Sequence, residues 1–139
     1  MSFSIVTTLS QGQVADLMRL YGHTYWASER ERDDVERMLA SSDYLFGVVE
    51  AESGRLRAFA RVLTDGVFRA VIFDVVVDPE FRGYGLTRMI FEAMMAHPEL
   101  SKVENLLLFC KEDVVGLYGK FGFSEECDGM RLMRRHRSP

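Results

Sequence analysis

The chain has 139 residues, a length typical of one domain, and 47% of them are hydrophobic, which is enough for a continuous core. The formal net charge of −4 disfavours non-specific binding to nucleic acid. No apolar run approaches the roughly 20 residues of a membrane-spanning helix, and the N-terminus lacks the basic and apolar regions of a signal peptide. With two cysteines and no cluster of histidines and cysteines at metal-ligand spacing, we expect a reduced cytoplasmic protein that binds neither metal, membrane nor nucleic acid.

The N-terminal part of the chain is predicted to contain strands and two helices. Residues 2–8 are rich in β-formers and predict a first strand. Residues 11–21 and 31–40 carry apolar side chains at helical spacing, and an aromatic and polar loop joins them. Residues 44–50 and 56–64 are strand-like and are separated by turn-forming residues.

The middle of the chain predicts a central strand followed by a helix. Residues 67–77 are apolar on both faces, which is typical of a strand inside a sheet. Asp78-Pro79 should end this strand, because proline cannot donate to the ladder of hydrogen bonds. A helix is predicted from about Gly85 to Ala96, and His97-Pro98 should stop it.

The C-terminal part predicts three further strands and a short helix. Residues 103–110 are expected to form a buried strand. Residues 112–121 are expected to form a helix that Gly122 caps, and residues 123–125 and 129–135 the last two strands. The whole chain, residues 1–139, is therefore predicted to be a single α+β domain with a mixed sheet.

One segment combines a buried strand, a glycine-rich turn and an amphipathic helix. The turn contains Arg82, Gly83, Tyr84 and Gly85. The start of a helix has about four backbone N–H groups without partners and a partial positive charge. Glycines allow an anion to approach those donors, and Arg82 adds a cation with bidentate geometry. The segment is therefore suited to bind a pyrophosphate.

This segment resembles the coenzyme A loop of the GNAT superfamily of N-acetyltransferases, whose pattern is Arg/Gln-x-x-Gly-x-Gly/Ala after an apolar strand. Arg82, Gly85 and Thr87 occupy the motif positions, with Thr87 in place of the usual glycine or alanine. A second segment is similar to the other cofactor segment of the superfamily. Its matching residues are Leu117, Tyr118, Lys120, Gly122 and Phe123, and Lys111 replaces a common asparagine.

The resemblance implies the GNAT fold, with about six to seven strands in the central sheet and about four flanking helices. It also implies transfer of an acetyl group from acetyl-coenzyme A to an amine by direct attack on the thioester. Tyr118 is the implied catalytic acid at sulfur. The implied cofactor-binding residues are Val75, Val76, Val77, Arg82, Gly83, Tyr84, Gly85, Leu86 and Thr87.

The sequence leaves the general base open. Asp74 interrupts an apolar strand, and a buried carboxylate needs partners, so we expect an ion pair with Arg61 rather than catalysis. The resemblance would place His23, Glu29 and Asp128 near the acceptor, and solvent is a further alternative.

The loop between the first two helices is the implied acceptor region. Tyr25, Trp26 and Arg30 cluster there and either bind a ligand or close the core. Cys110 has no histidine near it in sequence, so we expect a core cysteine and not an acyl-carrying nucleophile.

Three functional hypotheses remain at this level. The first is the N-acetyltransferase of a small molecule or protein amine. The second is an enzyme with another acyl donor or a hydroxyl acceptor, and the third is a non-catalytic sensor or interaction module that binds coenzyme A. An edge strand near the C-terminus would also allow a homodimer.

Overall fold

The structure, a computed structural model, describes residues 1–137. The chain divides into two compact units, Met1–Phe109 and Cys110–Pro139. None of the helices described in residues 1–137 is long and apolar enough to cross a bilayer.

The first unit is built on a five-stranded mixed sheet. Its strands, in both chain and spatial order, are β1 (Phe3–Val6), β2 (Tyr44–Glu50), β3 (Leu56–Thr64), β4 (Arg69–Val77) and β5 (Asn105–Leu108). Strands β1 to β4 pair antiparallel, whereas β5 runs parallel to β4. The predicted mixed sheet is confirmed, but it has five strands in the described residues rather than about six to seven. Strand β4 is an interior strand, as its apolar faces indicated.

Three helices accompany this sheet: α1 (Gln11–Gly22), α2 (Arg32–Ser41) and α3 (Leu86–Ala96). Helix α1 begins with a capping box, in which the Ser10 hydroxyl accepts from the Gln13 N–H at 3.2 Å and the Gln13 amide oxygen accepts from the Ser10 N–H at 3.0 Å. Helix α3 begins directly after the glycine turn, as predicted.

The sheet buries apolar side chains on both faces, because alternate residues of a strand point to opposite sides. One face packs against α1 and α2 through a cluster formed by Leu17, Leu20, Tyr21, Ala27, Val35, Val49, Leu56, Phe59 and Val76. The intervening strand residues, among them Phe46, Ala58 and Ala60, are also buried. Helix α3 contributes Leu86, Ile90, Phe91 and Met94 to the buried set and packs on β2, β3 and β4.

A buried carboxylate, Asp16, ties α1 to β3. Its two oxygens accept from the Leu56 N–H at 2.9 Å and from the Arg55 Nε at 2.8 Å, and Arg19 adds a bond at 3.2 Å. Burial alone would raise the pKa of Asp16, but the hydrogen bonds from Leu56 and Arg55 and the Arg55 charge outweigh it and lower the pKa below 3.8.

The lowered pKa of Asp16 makes the stability of the fold depend on acidity. The unfolded chain binds a proton at higher pH than the folded chain, so the stabilisation is complete above the unfolded pKa and is lost as pH falls through the folded pKa. We expect urea midpoints to drop below about pH 4, and the drop to be smaller in Asp16→Asn. Equal drops in both proteins would show that other groups cause the acid sensitivity.

The second unit contains a short helix, α4 (Val115–Gly119), preceded by a 3₁₀ turn over Glu112–Val114. Gly122, with φ of 92°, ends it as the sequence predicted. The Phe123 N–H donates to the Tyr118 carbonyl at 3.3 Å and the Gly122 N–H to the Gly119 carbonyl at 3.1 Å, which is a Schellman motif. The rings of Tyr118 and Phe123 are 6.5 Å apart and complete it.

Four predictions for the C-terminal part are wrong. Residues 123–125 and 129–135, predicted as two strands, form none. Residues 105–108 form a strand, but one at the end of the sheet order, so Leu107 is 37% exposed rather than buried. Cys110 follows this strand and is exposed, not a core residue.

Candidate functional site

The central strands part at the C-terminal end of β4. The parallel pairing of β4 with β5 runs from Arg69 with Asn105 to Ile72 with Leu108 and ends there. Beyond this point β4 continues for five residues, to Val77, with no strand among the described residues paired to it on the β5 side. The rings of Phe73 and Phe109 meet edge to face, 5.8 Å apart, where the pairing stops. The side of β4 that β5 leaves is therefore an open strand edge.

A bulge in β4 lies next to this opening. The register with β3 shifts between Arg61, which faces Phe73, and Phe59, which faces Val76. Two residues of β4 thus oppose Ala60 alone, and one of them, Asp74, has a φ of 59°. A positive φ is uncommon for a residue with a side chain, and Asp tolerates it better than most. The bulge bends β4 and turns the carboxylate of Asp74 to its partners.

The antiparallel pairing decides which peptide groups of β4 face the opening. The Asp78 N–H donates to the Arg57 carbonyl at 2.7 Å, so this N–H points to β3. Peptide groups alternate along a strand, so those of Val76 also point to β3. Those of Val75 and Val77 point to the side that β5 leaves. Two hydrogen-bonding residues are thereby presented to the gap.

The chain after β4 makes a compact turn. The Asp78 carboxylate accepts from the Glu80 N–H at 3.0 Å and caps the 3₁₀ turn Pro79–Phe81. Gly83 and Gly85 then adopt φ values of 85° and 76°, which favour glycine strongly. The sequence therefore places its glycines at the two positions of this loop that need a left-handed backbone.

Helix α3 starts with no side-chain cap. Its N-cap residue is Gly85, which has no side chain to offer, and the first bond of the helical ladder is the Met89 N–H to the Gly85 carbonyl at 3.1 Å. The first-turn amides precede that bond, and they are the donors and the positive end of the helix dipole. A Cβ added at Gly83 or Gly85 would meet no atom of the described residues within 4 Å, so no side chain covers these positions. The first-turn N–H groups of α3 are therefore accessible to an anion.

Aromatic packing holds this loop to the sheet. Tyr84 is half exposed, and its ring lies 5.9 Å from the ring of Phe3 in β1 and 5.8 Å from that of Phe81. The Arg57 guanidinium covers the Phe81 ring at 4.2 Å. The loop is thus anchored from both sides while Arg82 remains exposed.

A cavity of about 260 Å³ adjoins the open end of β4. One wall is formed by the last three residues of β4, and the other by the end of α1 with the loop that follows it. The lining residues are Leu20, His23, Thr24, Tyr25, Trp26, Val75, Val76, Val77 and Arg82. The structure therefore brings together the predicted valines, Arg82 and the predicted acceptor-side aromatic residues.

An ion cluster lies beneath this wall. Asp74 is buried, and its carboxylate accepts from Arg30 at 2.7 Å, from Arg61 at 2.8 Å and from the Tyr21 hydroxyl at 3.0 Å. The expected Asp74–Arg61 pair is confirmed. The Arg30 partner, 44 residues away in the chain, was not predicted.

The Asp74 cluster is fixed in its charged form. Burial alone would raise the pKa of Asp74, but hydrogen bonds from Arg30 and Arg61 and their charges lower it below the usual value. Burial, and then the Asp74 charge, raise the pKa of Tyr21, which stays a hydroxyl donor. A carboxylate held this way is a poor proton acceptor at neutral pH, so Asp74 is structural.

The loop after α1 is ordered by its own hydrogen bonds. The Thr24 hydroxyl donates to the Tyr21 carbonyl at 2.8 Å and accepts from the Ala27 N–H at 3.0 Å. Ala27 is buried, whereas the Trp26 indole between them remains 41% exposed. Trp26 therefore does not close the core, and ligand binding by this aromatic cluster stays a prediction.

Tyr118 belongs to the second unit and is half-buried in α4. Burial, followed by the charge of Cys110, raises the pKa of Tyr118, so its hydroxyl remains protonated at neutral pH. Burial and the carboxylates of Glu125 and Asp113 likewise raise the pKa of Cys110. The raised pKa disfavours a thiolate nucleophile at Cys110.

The remaining candidates for a base are placed as follows. His23 lines the cavity, Glu29 is exposed in the loop before α2, and Asp128 lies in the second unit. Sequence reasoning missed Leu20 and Thr24 as walls, because neither their chemistry nor their spacing distinguishes them from core and loop residues.

Comparison with known proteins agrees with this geometry. A sequence model of the acetyltransferase (GNAT) family matches residues 13–123. Over 111 residues the chain is 38% identical to serotonin N-acetyltransferase 2, chloroplastic, of Oryza sativa subsp. japonica, covering 78% of this chain and 56% of that protein. It is 36% identical over 104 residues to GCN5-related N-acetyltransferase 1, chloroplastic, of Arabidopsis thaliana, covering 75% of this chain and 53% of that protein. The chain thus spans about half the length of these relatives.

A solved structure is similar over almost the whole chain. A GNAT-family protein from Xanthomonas campestris pv. campestris superposes with a TM-score of 0.85 at 31% identity, covering 99% of this chain and 94% of that one. The family match spans far more than half of the sequence and includes both the loop after β4 and α4. The chain belongs to the acetyltransferase (GNAT) family.

Proposed function

We propose that this chain, as one domain over residues 1–139, transfers an acetyl group from acetyl-coenzyme A to the amine of an acceptor. The neutral amine nitrogen attacks the thioester carbonyl carbon and a C–N bond forms. The C–S bond then breaks, the thiolate leaves and takes up a proton, and the nitrogen loses one proton. The reaction therefore needs a site that holds the thioester, hydrogen-bond donors that stabilise the oxyanion, and a group that stabilises the departing thiolate.

The observation that carries this proposal is the opening between β4 and β5. An extended amide chain such as pantetheine can take the place of the missing strand, bonding to the peptide groups of Val75 and Val77. Val76 then supplies only a wall, since its peptide groups are directed to β3. The N–H of Val75 or Val77 at this edge can also donate to the oxyanion, because a fixed dipole needs no reorganisation during the reaction.

The glycine loop is the proposed site of the pyrophosphate. The donors are the backbone N–H groups of the loop and of the first helical turn, and the residues concerned are Arg82, Gly83, Tyr84, Gly85, Leu86 and Thr87. The Leu86 side chain is buried in the core, so only its peptide group takes part. Thr87 is half-buried, and its peptide N–H is the group proposed to bind. The absence of a Cβ at Gly83 and Gly85 supports this assignment.

Tyr118 is the proposed hydroxyl donor to the leaving sulfur. Because its pKa is raised, complete proton transfer from Tyr118 to a thiolate is unfavourable, and a hydrogen bond that stabilises the departing charge is the better description. Asp74 is excluded as the base by its two arginines. We assign removal of the amine proton to solvent in the cavity.

The acceptor is proposed to enter on the side of His23 and Trp26. The rice relative is named a serotonin N-acetyltransferase, so small amines that carry an aromatic ring are the first acceptors to test. The cytoplasmic location and the homodimer stay predictions, and two relatives are named chloroplastic.

Calorimetry and turnover test this function separately. Purified protein should bind coenzyme A with one-to-one stoichiometry, and an amine library with acetyl-coenzyme A should release free thiol. Binding without thiol release from any amine would favour the non-catalytic sensor. Absence of binding would contradict the assignment of the loop.

Tyr118→Phe removes one hydroxyl and keeps the ring that packs on Phe123. We expect kcat to fall roughly 10- to 100-fold, because a hydrogen bond to a charged group contributes about 1.5–3 kcal/mol. The dissociation constant for coenzyme A should stay within about twofold. Phe121→Leu, a conservative change in the turn that follows α4, is the control for local disturbance. An unchanged kcat would show that Tyr118 does not assist the sulfur.

A further inference from the structure

We infer that Trp26 is the residue that selects the acceptor, and that it favours a planar, uncharged body next to the amine over a polycation. This inference rests on the proposed function. It goes beyond it by naming the residue and the physical basis of the choice, which lie in the cavity beside β4.

The first observation is where the indole lies. Trp26 lines the cavity opposite Val75, Val76 and Val77, where the acetyl group and the amine would meet. Trp26 is 41% exposed, so its ring offers apolar area beside the cavity that a ligand can cover. Tyr25, also at the rim, is 74% exposed. The cavity entrance is therefore aromatic.

The second observation is that the indole is held in place. The Arg30 guanidinium lies 5.4 Å from the centre of the Trp26 ring, and the Tyr21 ring meets it at 6.1 Å, edge to face. Arg30 is in turn fixed by buried Asp74. With the Thr24 bonds that order the loop, this makes Trp26 a rigid surface, which binds a ligand at low entropic cost.

The third observation concerns charge. Arg30 already provides the cation that an aromatic face attracts. Among the residues that line this cavity, all within residues 1–137, none is acidic, and Arg82 is cationic. A polycation would therefore find no carboxylate among the lining residues to pair with. A flat apolar group next to the amine gains contact with the indole instead.

The fourth observation concerns size. The cavity volume of about 260 Å³ corresponds to roughly nine water molecules. This space suits a small amine. The acceptor class is therefore a primary amine joined to one planar ring system by a short chain.

The sequence contains one tryptophan, so Trp26 reports on its own site. With coenzyme A present, phenethylamine should change the selectively excited tryptophan fluorescence in a saturable way. Cyclohexylethylamine has the same carbon skeleton with a saturated ring and should bind about fivefold more weakly. Spermidine should give no saturable change. A flat titration with phenethylamine, or tighter binding of spermidine, would overturn the inference whether or not the protein turns over.

Variants then test selection in the reaction. Trp26→Ala should raise the KM for phenethylamine about tenfold and leave the KM for acetyl-coenzyme A unchanged, and Trp26→Phe should restore most of the loss. Phe68→Ala, which removes an aromatic ring 58% exposed in the turn before β4, should behave as the unmodified protein. An equal loss in Trp26→Ala for phenethylamine, cyclohexylethylamine and spermidine would contradict selection by the indole. Failure of the proposed function is recognised separately, as absence of coenzyme A binding.

Discussion

Gly85→Glu is expected to abolish binding of coenzyme A. The residue has a φ of 76° and is the N-cap of α3, where the first-turn amides are available to an anion. A glutamate there strains the backbone by about 1–2 kcal/mol. It also places a carboxylate where the pyrophosphate would accept charge-assisted hydrogen bonds, each contributing about 1.5–3 kcal/mol. We expect a loss of about 4 kcal/mol, or roughly 1000-fold, measured as a missing calorimetric signal.

The chain offers a matched control for this variant. Gly54 has a φ of 71°, and a Cβ there also meets nothing within 4 Å, but it lies in the turn between β2 and β3. Gly54→Glu therefore introduces the same charge and the same backbone strain away from the loop. Both variants should unfold at similar urea concentrations, while Gly54→Glu keeps its affinity. Equal affinity in Gly85→Glu and the unmodified protein would refute the proposed pyrophosphate site.

Asp74→Ala is expected to destabilise the fold by about 4 kcal/mol. The carboxylate is 5% exposed and neutralises Arg30 and Arg61, whose side chains are 32% and 15% exposed. Removing it leaves two partly desolvated guanidinium groups and an unpaired Tyr21 hydroxyl. Alanine also fits the left-handed backbone poorly, with a cost of about 1 kcal/mol. Urea unfolding at neutral pH measures the sum.

Asp74→Gly separates the two contributions. Glycine accepts a φ of 59° without strain, so this variant loses only the electrostatic part and should be about 1 kcal/mol more stable than Asp74→Ala. Glu92→Ala, on the exposed face of α3, should change stability by no more than about 0.5 kcal/mol. If Asp74→Ala were no worse than Glu92→Ala, the ion cluster would not stabilise the fold.

The sequence predicted the parts of the fold and site that local patterns encode. Helical spacing and two glycines are sufficient to place the start of α3 within one residue, since only glycine readily adopts the φ at positions 83 and 85. An aspartate inside an apolar strand was sufficient to predict a buried ion pair with Arg61. Each of these residues, a glycine or a charged aspartate, is unusual in its local sequence, and one particular local structure accounts for it.

What the sequence did not predict depends on distant partners. Arg30 reaches Asp74 across 44 residues, and no local pattern marks it. Asp74 is the one sequence signal for the bulge. Its positive φ also depends on how β3 and β4 pair, and the local sequence does not encode that pairing. Residues 129–135 are predicted as a strand but form none. Cys110 is predicted as a core residue at the end of a buried strand, whereas β5 ends the sheet order and Cys110 is exposed.

The open edge of β4 has a consequence for how such a domain diversifies. Under the proposed function the donor is read by main-chain atoms of Val75 and Val77, which substitutions leave in place, whereas the acceptor is read by side chains of a loop that no strand constrains. Substitutions in residues 23–30 can thus change which amine is bound without weakening the binding of the thioester. Related domains of this kind would keep the same acyl donor while their acceptor specificity changes.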